Sequence, residues 1–214
     1  MTYITIDGPA GSGKSSVAKA LAREIGFEHL DSGALYRSAA LLWLRYGNDD
    51  FLEKLRQANF ELKNGVLSMN GKVLGDEIRT PEIGKVVSKV AEMPEVREII
   101  TQKTRELADK KEIVVEGRDI GTVVLPDACV KIFLMASVQE RAKRRYAQYR
   151  AKGINVALED VIKEIESRDR IDSTRQVAPL KPAKDAVMFN TDSLTLNEVV
   201  EKLKGMVLER LKKC

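Results

Sequence analysis

The stretch from Gly8 to Ser15, Gly-Pro-Ala-Gly-Ser-Gly-Lys-Ser, constrains the fold of this chain more than any other feature. It matches the pattern G-x-x-x-x-G-K-[S/T] in full, and the apolar run Tyr3 to Ile6 before it predicts a buried strand. Helical spacing of apolar residues from Val17 to Ile25 predicts a helix directly after it. In this context the backbone N–H groups of the loop and the helix N-terminus form a nest for phosphate, whereas a glycine-rich turn that merely caps a helix is the alternative.

Three side chains give this loop its predicted chemistry. Lys14 supplies a mobile positive charge for the β- and γ-phosphates of a nucleotide, and the Ser15 hydroxyl is a ligand for Mg²⁺. Glu116, the acid at the end of a later strand, is positioned to hold the water shell of that ion. The predicted contacts with the nucleotide are Gly8, Pro9, Ala10, Gly11, Ser12, Gly13, Lys14, Ser15 and Ser16.

Composition limits the class of protein. The chain has 214 residues, of which 43% are hydrophobic and 32% charged, as expected for one globular domain with a heavily charged surface. No run approaches the roughly 20 apolar residues of a membrane span, and strand one begins without a signal peptide, so we expect a cytoplasmic protein. Cys129 and Cys214 lack metal-like spacing, and we expect no disulfide. The net charge of +4 indicates no nucleic-acid-binding tail.

Periodicity predicts an α/β chain with a small β insertion. Five strand-like runs belong to the core, and they are 3–6, 28–30, 112–116, 130–135 and 186–190. Three shorter runs, 60–62, 66–69 and 72–74, predict an antiparallel meander. Asn64-Gly65 and Asn70-Gly71 lie between them as type I′ turn signals. The meander is too small to bury its own core, so it is expected to pack on its neighbours.

Polar residues follow two of the predicted core strands. Ser32 is expected to cap the helix after the second strand, with Tyr36 and Arg37 one turn in, and the alternative is ordinary capping with a surface arginine. Arg118-Asp119 follows another strand, at the edge where doubly wound sheets bind ligands, and the alternative is a surface ion pair. His29, the sole histidine, has no evident partner and is expected to pack at the end of strand two.

An arginine-rich helical pair follows the fourth core strand. Arg141, Arg144 and Arg145 share one helical stripe, and a second helix runs into the charged segment 168–175. Such a pair predicts a hinged lid that brings arginines to a transferring phosphate and excludes water. A solvated charged hairpin is the alternative.

Four motifs together resemble bacterial cytidylate kinases. They are the phosphate loop, DSGALYR at 31–37, GRDIGTVV at 117–124 and RQVAPL at 175–180, in the order and spacing of that family across the whole chain. The resemblance implies a P-loop NTPase three-layer α/β fold with a central parallel five-stranded sheet, a small antiparallel insertion in the NMP-binding region and a helical lid. We expect one kinase domain, with a core (1–58, 110–140, 176–214), an NMP-binding insertion (59–109) and a lid (141–175).

The resemblance further implies transfer of the ATP γ-phosphoryl group to CMP or dCMP, with Mg²⁺ as cofactor. It implies that Ser88, Arg97 and Asp119 contact cytosine and that Arg168 and Asp172 hold the sugar. The acceptor monophosphate is expected to contact Ser32, Tyr36, Arg37 and Arg118. Arg141, Arg145 and Arg175 are expected to be the lid residues around ATP and the transferring phosphate, and together with Lys14 and Arg118 they are the expected catalytic residues. The partners expected are these two nucleotides, with no nucleic acid and no membrane, and the protein is expected to be a monomer.

Two other functions stay open at this point. A kinase for another small acceptor, such as UMP or shikimate, would share the phosphate loop, but the insertion and the Gly-Arg-Asp segment argue against it. A nucleotide-dependent switch or nucleic-acid-binding module would use the basic lid. The sequence contains no Asn-Lys-x-Asp guanine-reading motif and no basic surface interleaved with aromatic residues, which disfavours that module.

Overall fold

The computed structural model describes residues 1–151 and 153–214. The strands are β1 (Thr2–Asp7), β2 (Glu28–Asp31), β3 (Phe60–Lys63), β4 (Val66–Met69), β5 (Lys72–Val73), β6 (Glu112–Gly117), β7 (Val130–Met135) and β8 (Val187–Asn190). The α-helices are α1 (Lys14–Ile25), α2 (Ser32–Gln57), α3 (Pro81–Glu92), α4 (Pro94–Ala108), α5 (Val138–Ala151), α6 (Leu158–Thr174) and α7 (Leu196–Leu211). A 3₁₀ turn spans Asp76–Ile78 and a π-helical turn spans Ile120–Val124.

The central sheet is parallel throughout and has five strands, as predicted, and the structure gives their order as β2-β6-β1-β7-β8. The register pairs Ile4 with Val114 and Asp7 with Gly117 across the two middle strands. Ile4 and Val114 are fully buried because helices cover both faces of the sheet. Since the strands are parallel, all their carboxyl ends meet at one edge, and the phosphate loop lies at that edge.

Two apolar clusters form the layers around the sheet. On one face, Val17 and Leu21 of α1 pack with Leu203 and Val207 of α7. On the other face α2, α3 and α4 supply the larger cluster, which contains fully buried Leu35. The chain is therefore a three-layer α/β fold. None of the helices that the structure describes combines the length and the apolar character needed to cross a bilayer.

The antiparallel insertion forms as predicted, with strand order β3-β4-β5. Asn64 and Gly65 have φ values of 52° and 71°, as a type I′ turn requires, because both central residues must adopt positive φ. Phe60 and Leu62 are buried in the cluster that contains Phe51 of α2. The meander thus packs against its neighbours, as its size requires.

Helices α5 and α6 form an arm with its own small apolar cluster. Ala142, Val161 and Ile165 are buried there, and Tyr146 and Tyr149 pack around them. This cluster is separate from the two sheet clusters, so the arm depends on few apolar contacts for its position.

The expectation of unpaired cysteines is wrong. The structure joins Cys129 and Cys214 in a disulfide, with their Cα atoms 6.1 Å apart. Strand β7 begins directly after Cys129, at the amino edge of the sheet, and α7 runs back along the sheet to the same edge, where Cys214 ends the chain. The two residues are 85 positions apart in sequence, so only the tertiary fold brings them together.

Candidate active site

The phosphate loop depends on glycines at close approaches of the backbone. Gly8 has a φ of 149°, and a Cβ at this position would overlap the carbonyl oxygen of Leu134 on the neighbouring strand β7. Gly13 has a φ of 91° and is the N-cap of α1, whose first residue is Lys14. Because L side chains rarely adopt these conformations, the loop can turn into the helix N-terminus only with glycine there.

Lys14 is folded back over its own loop. Its Nζ donates to the Pro9 carbonyl oxygen at 2.7 Å and lies 3.4 Å from Ser12 Oγ. Burial, together with the nearby Arg118, lowers the pKa of Lys14 well below its ordinary value. A nucleotide phosphate beside this amine would supply the negative charge that stabilises its ammonium form.

Ser15 and Glu116 meet where the sequence predicted a Mg²⁺ site. Ser15 Oγ donates to Glu116 Oε2 at 2.9 Å, although Glu116 lies on β6. Glu116 Oε1 is buried without a hydrogen-bond partner among the described residues. A hydroxyl beside a carboxylate oxygen with spare acceptor capacity suits Mg²⁺, which keeps much of its water shell. Within residues 1–151 and 153–214, no group of three or more His, Cys, Asp and Glu forms a protein cage for a metal.

His29 does have a polar neighbour, contrary to the expectation. Its Nε2 lies 3.4 Å from Glu116 Oε1, because β2 and β6 are adjacent and His29 pairs in register with Val114. The ring also lies near the end of strand two, as expected. The single histidine therefore faces the carboxylate of the predicted Mg²⁺ site.

One cavity of about 530 Å³ brings most of the predicted residues together. From the phosphate loop it is lined by Ala10, Gly11, Ser12, Gly13, Lys14, Ser15 and Ser16. From the rest of the chain it is lined by Ser32, Tyr36, Arg37, Ser88, Arg97, Glu116, Arg118, Asp119, Arg145, Arg168, Asp172 and Arg175. Gly8, Pro9 and Arg141 are the predicted residues that do not line it.

Cations converge at the middle of this cavity. Arg168 is buried, and burial, followed by repulsion from Arg118, lowers its pKa to about 10. Arg145 and Arg37 contribute to this lowering of the pKa, and Asp172 opposes it. Arg168 Nε has no hydrogen-bond partner within the described part of the chain. Mutually repelling cations with unused donors are the electrostatic signature of a site for a multiply charged anion.

A buried ion pair lies in a second part of the cavity, which is called the Asp119 end. Arg97 Nη2 donates to Asp119 Oδ2 at 2.6 Å, and both side chains are 4% exposed. Arg97 also lies 5.4 Å from the centre of the Tyr36 ring. Arg175 Nη2 lies 3.4 Å from Asp119 Oδ1. Ser88 lines the same region from α3, so donors and one carboxylate face a common space.

Arg175 lines the cavity at its Asp119 end. Its guanidinium is beside Asp119 and 3.7 Å from Asp172 Oδ1, and its predicted contact with ATP or the transferring phosphate stays a prediction. Its position depends on its own backbone, since Arg175 follows the last residue of α6 and its Nε donates to the Ala178 carbonyl oxygen at 2.7 Å. Two buried carboxylates thereby hold it at the Asp119 end.

Asp172 links the arm to the Gly-Arg-Asp segment. Its Oδ2 accepts from Arg118 Nε at 2.8 Å. Burial raises the pKa of Asp172, but Arg118 and Arg168 outweigh this effect and the net shift is downward. Asp172 is thus held as a carboxylate between two cationic side chains.

The first turn of α2 differs from the prediction in its cap. The N-cap is Asp31, whose Oδ1 accepts from Ala34 N at 3.2 Å, and Ser32 instead donates to the Glu116 carbonyl oxygen at 2.6 Å. Because α2 begins at Ser32 itself, the residue before it, Asp31, takes the N-cap position. Asp31 also accepts from Arg79 at 3.2 Å. Arg79 lines the cavity and was missed, since no motif surrounds it in the sequence.

Arg141, also predicted at the transferring phosphate, is a buried connector between the arm and the loop. Its Nη1 donates to the Ala10 carbonyl oxygen at 2.9 Å and pairs with Asp169, and its Nε donates to the Ala136 carbonyl oxygen. Asp169 Oδ1 in turn accepts from Ala10 N at 3.2 Å. These contacts occupy the guanidinium of Arg141, which does not line the cavity.

Arg144 lines the cavity in its place. Its Nη2 donates to the Thr191 carbonyl oxygen at 2.8 Å, and its Nη1 lies 3.4 Å from the Ser12 carbonyl oxygen. Leu194 and Leu196 line the cavity beside it. The sequence placed Arg144 on the arginine stripe, but the spacing alone could not separate it from Arg141.

The fold and this site define a P-loop kinase acting on a phosphorylated acceptor. The family model described as cytidylate kinase matches residues 4–209, and the chain belongs to the cytidylate kinase family. A cytidylate kinase of Thermosipho melanesiensis is 51% identical, covering 98% of both chains. One of Pseudothermotoga lettingae is 48% identical, covering 98% of this chain and 95% of its own.

A solved structure has a similar fold. It is the crystal structure of an uncharacterized protein from Eubacterium ventriosum, with a TM-score of 0.54 and 12% identity. The match covers 97% of this chain and 98% of that chain. At this identity the likeness concerns the fold alone.

Proposed function

We propose that this protein transfers the γ-phosphoryl group of ATP to CMP and dCMP, giving CDP or dCDP and ADP, by direct in-line transfer. The observation that carries the proposal is the group of mutually repelling cations, Lys14, Arg118 and Arg168, between the phosphate loop and the Arg97–Asp119 pair. A donor nucleotide on the loop and an acceptor beside Asp119 would place their phosphates among these cations. The names of the relatives support the same reaction.

The acceptor phosphate is proposed to lie between the start of α2 and the end of β6. Tyr36, Arg37, Arg118 and Ser32 line that part of the cavity. An oxygen of the acceptor phosphate attacks the γ-phosphorus, and the bond from that phosphorus to the β-γ bridging oxygen breaks, so that ADP leaves. The attacking oxygen is already anionic, so the reaction needs no general base. Positioning and neutralisation of charge then supply most of the catalysis.

Cytosine is proposed to lie against Asp119, Arg97 and Ser88. The 4-amino group of cytosine donates to a carboxylate, while its N3 and O2 atoms accept from a guanidinium and a hydroxyl. The ion pair with Arg97 fixes the orientation of the Asp119 carboxylate. Uracil presents a carbonyl oxygen where cytosine presents the amino group. In bound uracil this oxygen would face the Asp119 carboxylate with no proton between the two acceptors, which disfavours binding. Arg168 and Asp172 are proposed to hold the sugar.

Ser15, with Glu116 acting through water, would hold Mg²⁺ beside the donor phosphates. When bound there, the ion neutralises charge on the β- and γ-phosphates. Lys14 and the loop N–H groups hold the same phosphates from the protein side. Arg144 and Leu194 line the cavity next to the loop and are proposed to contact the adenosine.

Residues 141–175 are proposed to act as a lid over a core of 1–58, 110–140 and 176–214, with 59–109 as the acceptor-binding part. The arm has a small separate apolar cluster and meets the core through polar contacts such as Asp172–Arg118. Arg145 would then close onto the transferring phosphate, and the closed lid would exclude water. We further propose a cytoplasmic monomer needing neither nucleic acid nor membrane, since both substrates are small, freely soluble nucleotides.

A coupled assay of ADP release tests this function. Wild-type protein with ATP and Mg²⁺ is compared on CMP, dCMP, UMP and AMP, and the proposal expects strong preference for CMP and dCMP. Turnover of UMP or AMP at comparable kcat/KM, or of none of the four, would contradict it. A screen of other small acceptors, including shikimate, would then follow.

A further inference from the structure

One buried carboxylate at the centre of the molecule has no part in the chemistry described so far. Asp7 is the last residue of β1 and is 5% exposed. Its Oδ1 accepts from the backbone N–H of Ile120 at 2.9 Å, and its Oδ2 accepts from that of Gly121 at 2.8 Å. Both oxygens of one side chain thus bind consecutive backbone groups more than a hundred residues away in sequence.

Those N–H groups belong to the turn that carries Asp119. They are the first donors of the π-helical turn Ile120–Val124, and the first N–H groups of a helical turn have no partner within it. The Asp119 carbonyl oxygen accepts from Val123 N at 2.9 Å. The peptide group that joins Asp119 to Ile120 is therefore fixed at both of its polar atoms, the N–H by Asp7 and the carbonyl oxygen by the turn itself.

Strand β1 and this turn are in close contact at Gly121. A Cβ added to Gly121 would lie 2.7 Å from Thr5 Oγ1 and 3.4 Å from Asp7 Oδ2. Thr5 and Asp7 are two residues apart on the strand, so both side chains point to the same face. The absence of a side chain at position 121 is what lets the turn approach the carboxylate.

The cost of this arrangement indicates that Asp7 does more than fill space. Burial raises the pKa of Asp7 to about 6, although the two N–H donors act in the opposite direction. Burying a carboxylate opposes folding more than burying an apolar group of similar volume. What the ionised group alone supplies is an acceptor for two N–H groups at once, with a fixed direction.

We propose that Asp7 is a positioning residue for reading of the acceptor base. It holds the Arg118-Asp119 turn so that the Asp119 carboxylate meets Arg97 and the cytosine amino group. Because Gly8 follows Asp7 directly, the same residue also fixes this turn relative to the start of the phosphate loop. The inference rests on the proposed function in so far as Asp119 is the residue that contacts the base.

The test compares kcat/KM for CMP with kcat/KM for UMP in Asp7→Asn and in Gly121→Ala. An asparagine oxygen accepts from one N–H group, while its NH₂ group opposes the other. Gly121→Ala disturbs the same contact from the side of the turn. We expect the CMP-to-UMP ratio to fall at least about tenfold in both variants, since small displacements of a contact group are costly. The KM for ATP should change less than about threefold, within ordinary context variation for a site that keeps its contacts.

Asp127→Asn is the matched control, because Asp127 is an exposed aspartate in the loop after the same turn. It should leave the ratio unchanged. A thermal unfolding curve is recorded for each variant, since loss of folded protein lowers turnover of both acceptors equally and leaves the ratio intact. A ratio equal to wild type in folded Asp7→Asn would overturn the proposal.

The two proposals fail in different ways. A wild-type protein that does not prefer CMP over UMP contradicts the proposed function. The role of Asp7 is then judged on the acceptor that the wild type does use, whose KM should rise in Asp7→Asn while the KM for ATP holds. An unchanged acceptor KM overturns the role of Asp7 in that case as well.

Discussion

The two ends of the cavity are built in different ways. At the phosphate-loop end, the part that would hold phosphate comes from a single run, Ala10 to Ser16, which offers backbone N–H groups and the side chains of Lys14 and Ser15. The end around Asp119 is assembled from α3, α4, the turn after β6 and the end of α6. In the proposed function the loop holds an anion by geometry that any nucleoside triphosphate satisfies, whereas the paired side chains of the Asp119 end select the acceptor. Under that function, the phosphate-loop motif determines the type of reaction, and the Asp119 end determines which acceptor is phosphorylated.

Burial makes the assembled end sensitive to each of its members. Arg97 and Asp119 are a buried pair, and removing one partner of such a pair typically costs about 3–5 kcal/mol because the other charge is left without compensation. Truncation there therefore mixes loss of stability with loss of recognition. An isosteric variant such as Asp119→Asn separates the two effects better, because it keeps the size and shape of the side chain.

The largest expected effect is at the loop end. Lys14→Ala should lower kcat on the order of 10³-fold, because the transition-state charge on the transferring phosphate loses its nearest mobile cation. The loss should be equal for CMP and UMP, since Lys14 does not contact the base. Steady-state kinetics on both acceptors measure this, with far-UV circular dichroism as the control for folding. A changed ratio of kcat/KM for CMP to that for UMP would contradict the separate roles of the two ends.

The next effect is at the assembled end. Asp119→Asn should lower kcat/KM for CMP by about 100-fold, because the amide NH₂ replaces an acceptor of the cytosine amino group. The same NH₂ can donate to the uracil carbonyl oxygen, so kcat/KM for UMP should fall less or rise. Kinetics with both acceptors at saturating ATP measure the change. Equal losses on both acceptors would place Asp119 outside base recognition.

The disulfide lies at the opposite edge of the sheet from both ends. Cys214→Ser should lower the free energy of unfolding by about 2–4 kcal/mol, because the bond closes a loop of 85 residues. Denaturant unfolding with and without reductant measures the change, and reductant should affect wild type alone. Neither kcat nor the CMP-to-UMP ratio should move. A shift in the ratio would connect the sheet edge to recognition.

The smallest effect concerns Asp7, at the junction of the two ends. Its folded pKa of about 6 exceeds the ordinary 3.8, so its contribution to stability is full below pH 3.8 and is lost as pH rises through 6. Burial is the main cause of the higher pKa, Asp119 raises the pKa as well, and the two N–H donors and Lys14 lower it. The free energy of unfolding of wild type, relative to Asp7→Asn, should therefore fall between about pH 4 and pH 6. Parallel curves for the two proteins would contradict this shift.

Much of the fold follows from local patterns in the sequence. The phosphate loop, the alternating core strands and the two Asn-Gly turns each carry their signal within a few residues, and the structure confirms the elements they predict. The pairing of Cys129 with Cys214 could not be predicted, since it depends on the paths of β7 and α7 to a common edge. Disulfides are rare in reducing cytosol except in hyperthermophiles, and this general rule also favoured the expectation of no disulfide.

The site was predictable where a motif surrounds it and less so elsewhere. Ser32 and Asp31 are neighbours with similar capping propensity, and only the register of β2 decides between them. Arg141 and Arg144 share a helical stripe, and the contact of Arg141 with the Ala10 carbonyl oxygen became visible only in the tertiary structure. Arg79 and the double contact of Asp7 likewise join residues far apart in sequence. Partners of this kind depend on packing, which a single sequence does not display.

Separate binding measurements test the division between the two ends most directly. Isothermal titration calorimetry would give the affinities of CMP and of a non-hydrolysable ATP analogue with Mg²⁺, each alone, for wild type, Lys14→Ala and Asp119→Asn. The account predicts that Asp119→Asn loses affinity for CMP and keeps that for the ATP analogue, while Lys14→Ala shows the reverse. Loss of both affinities together in either variant would contradict it.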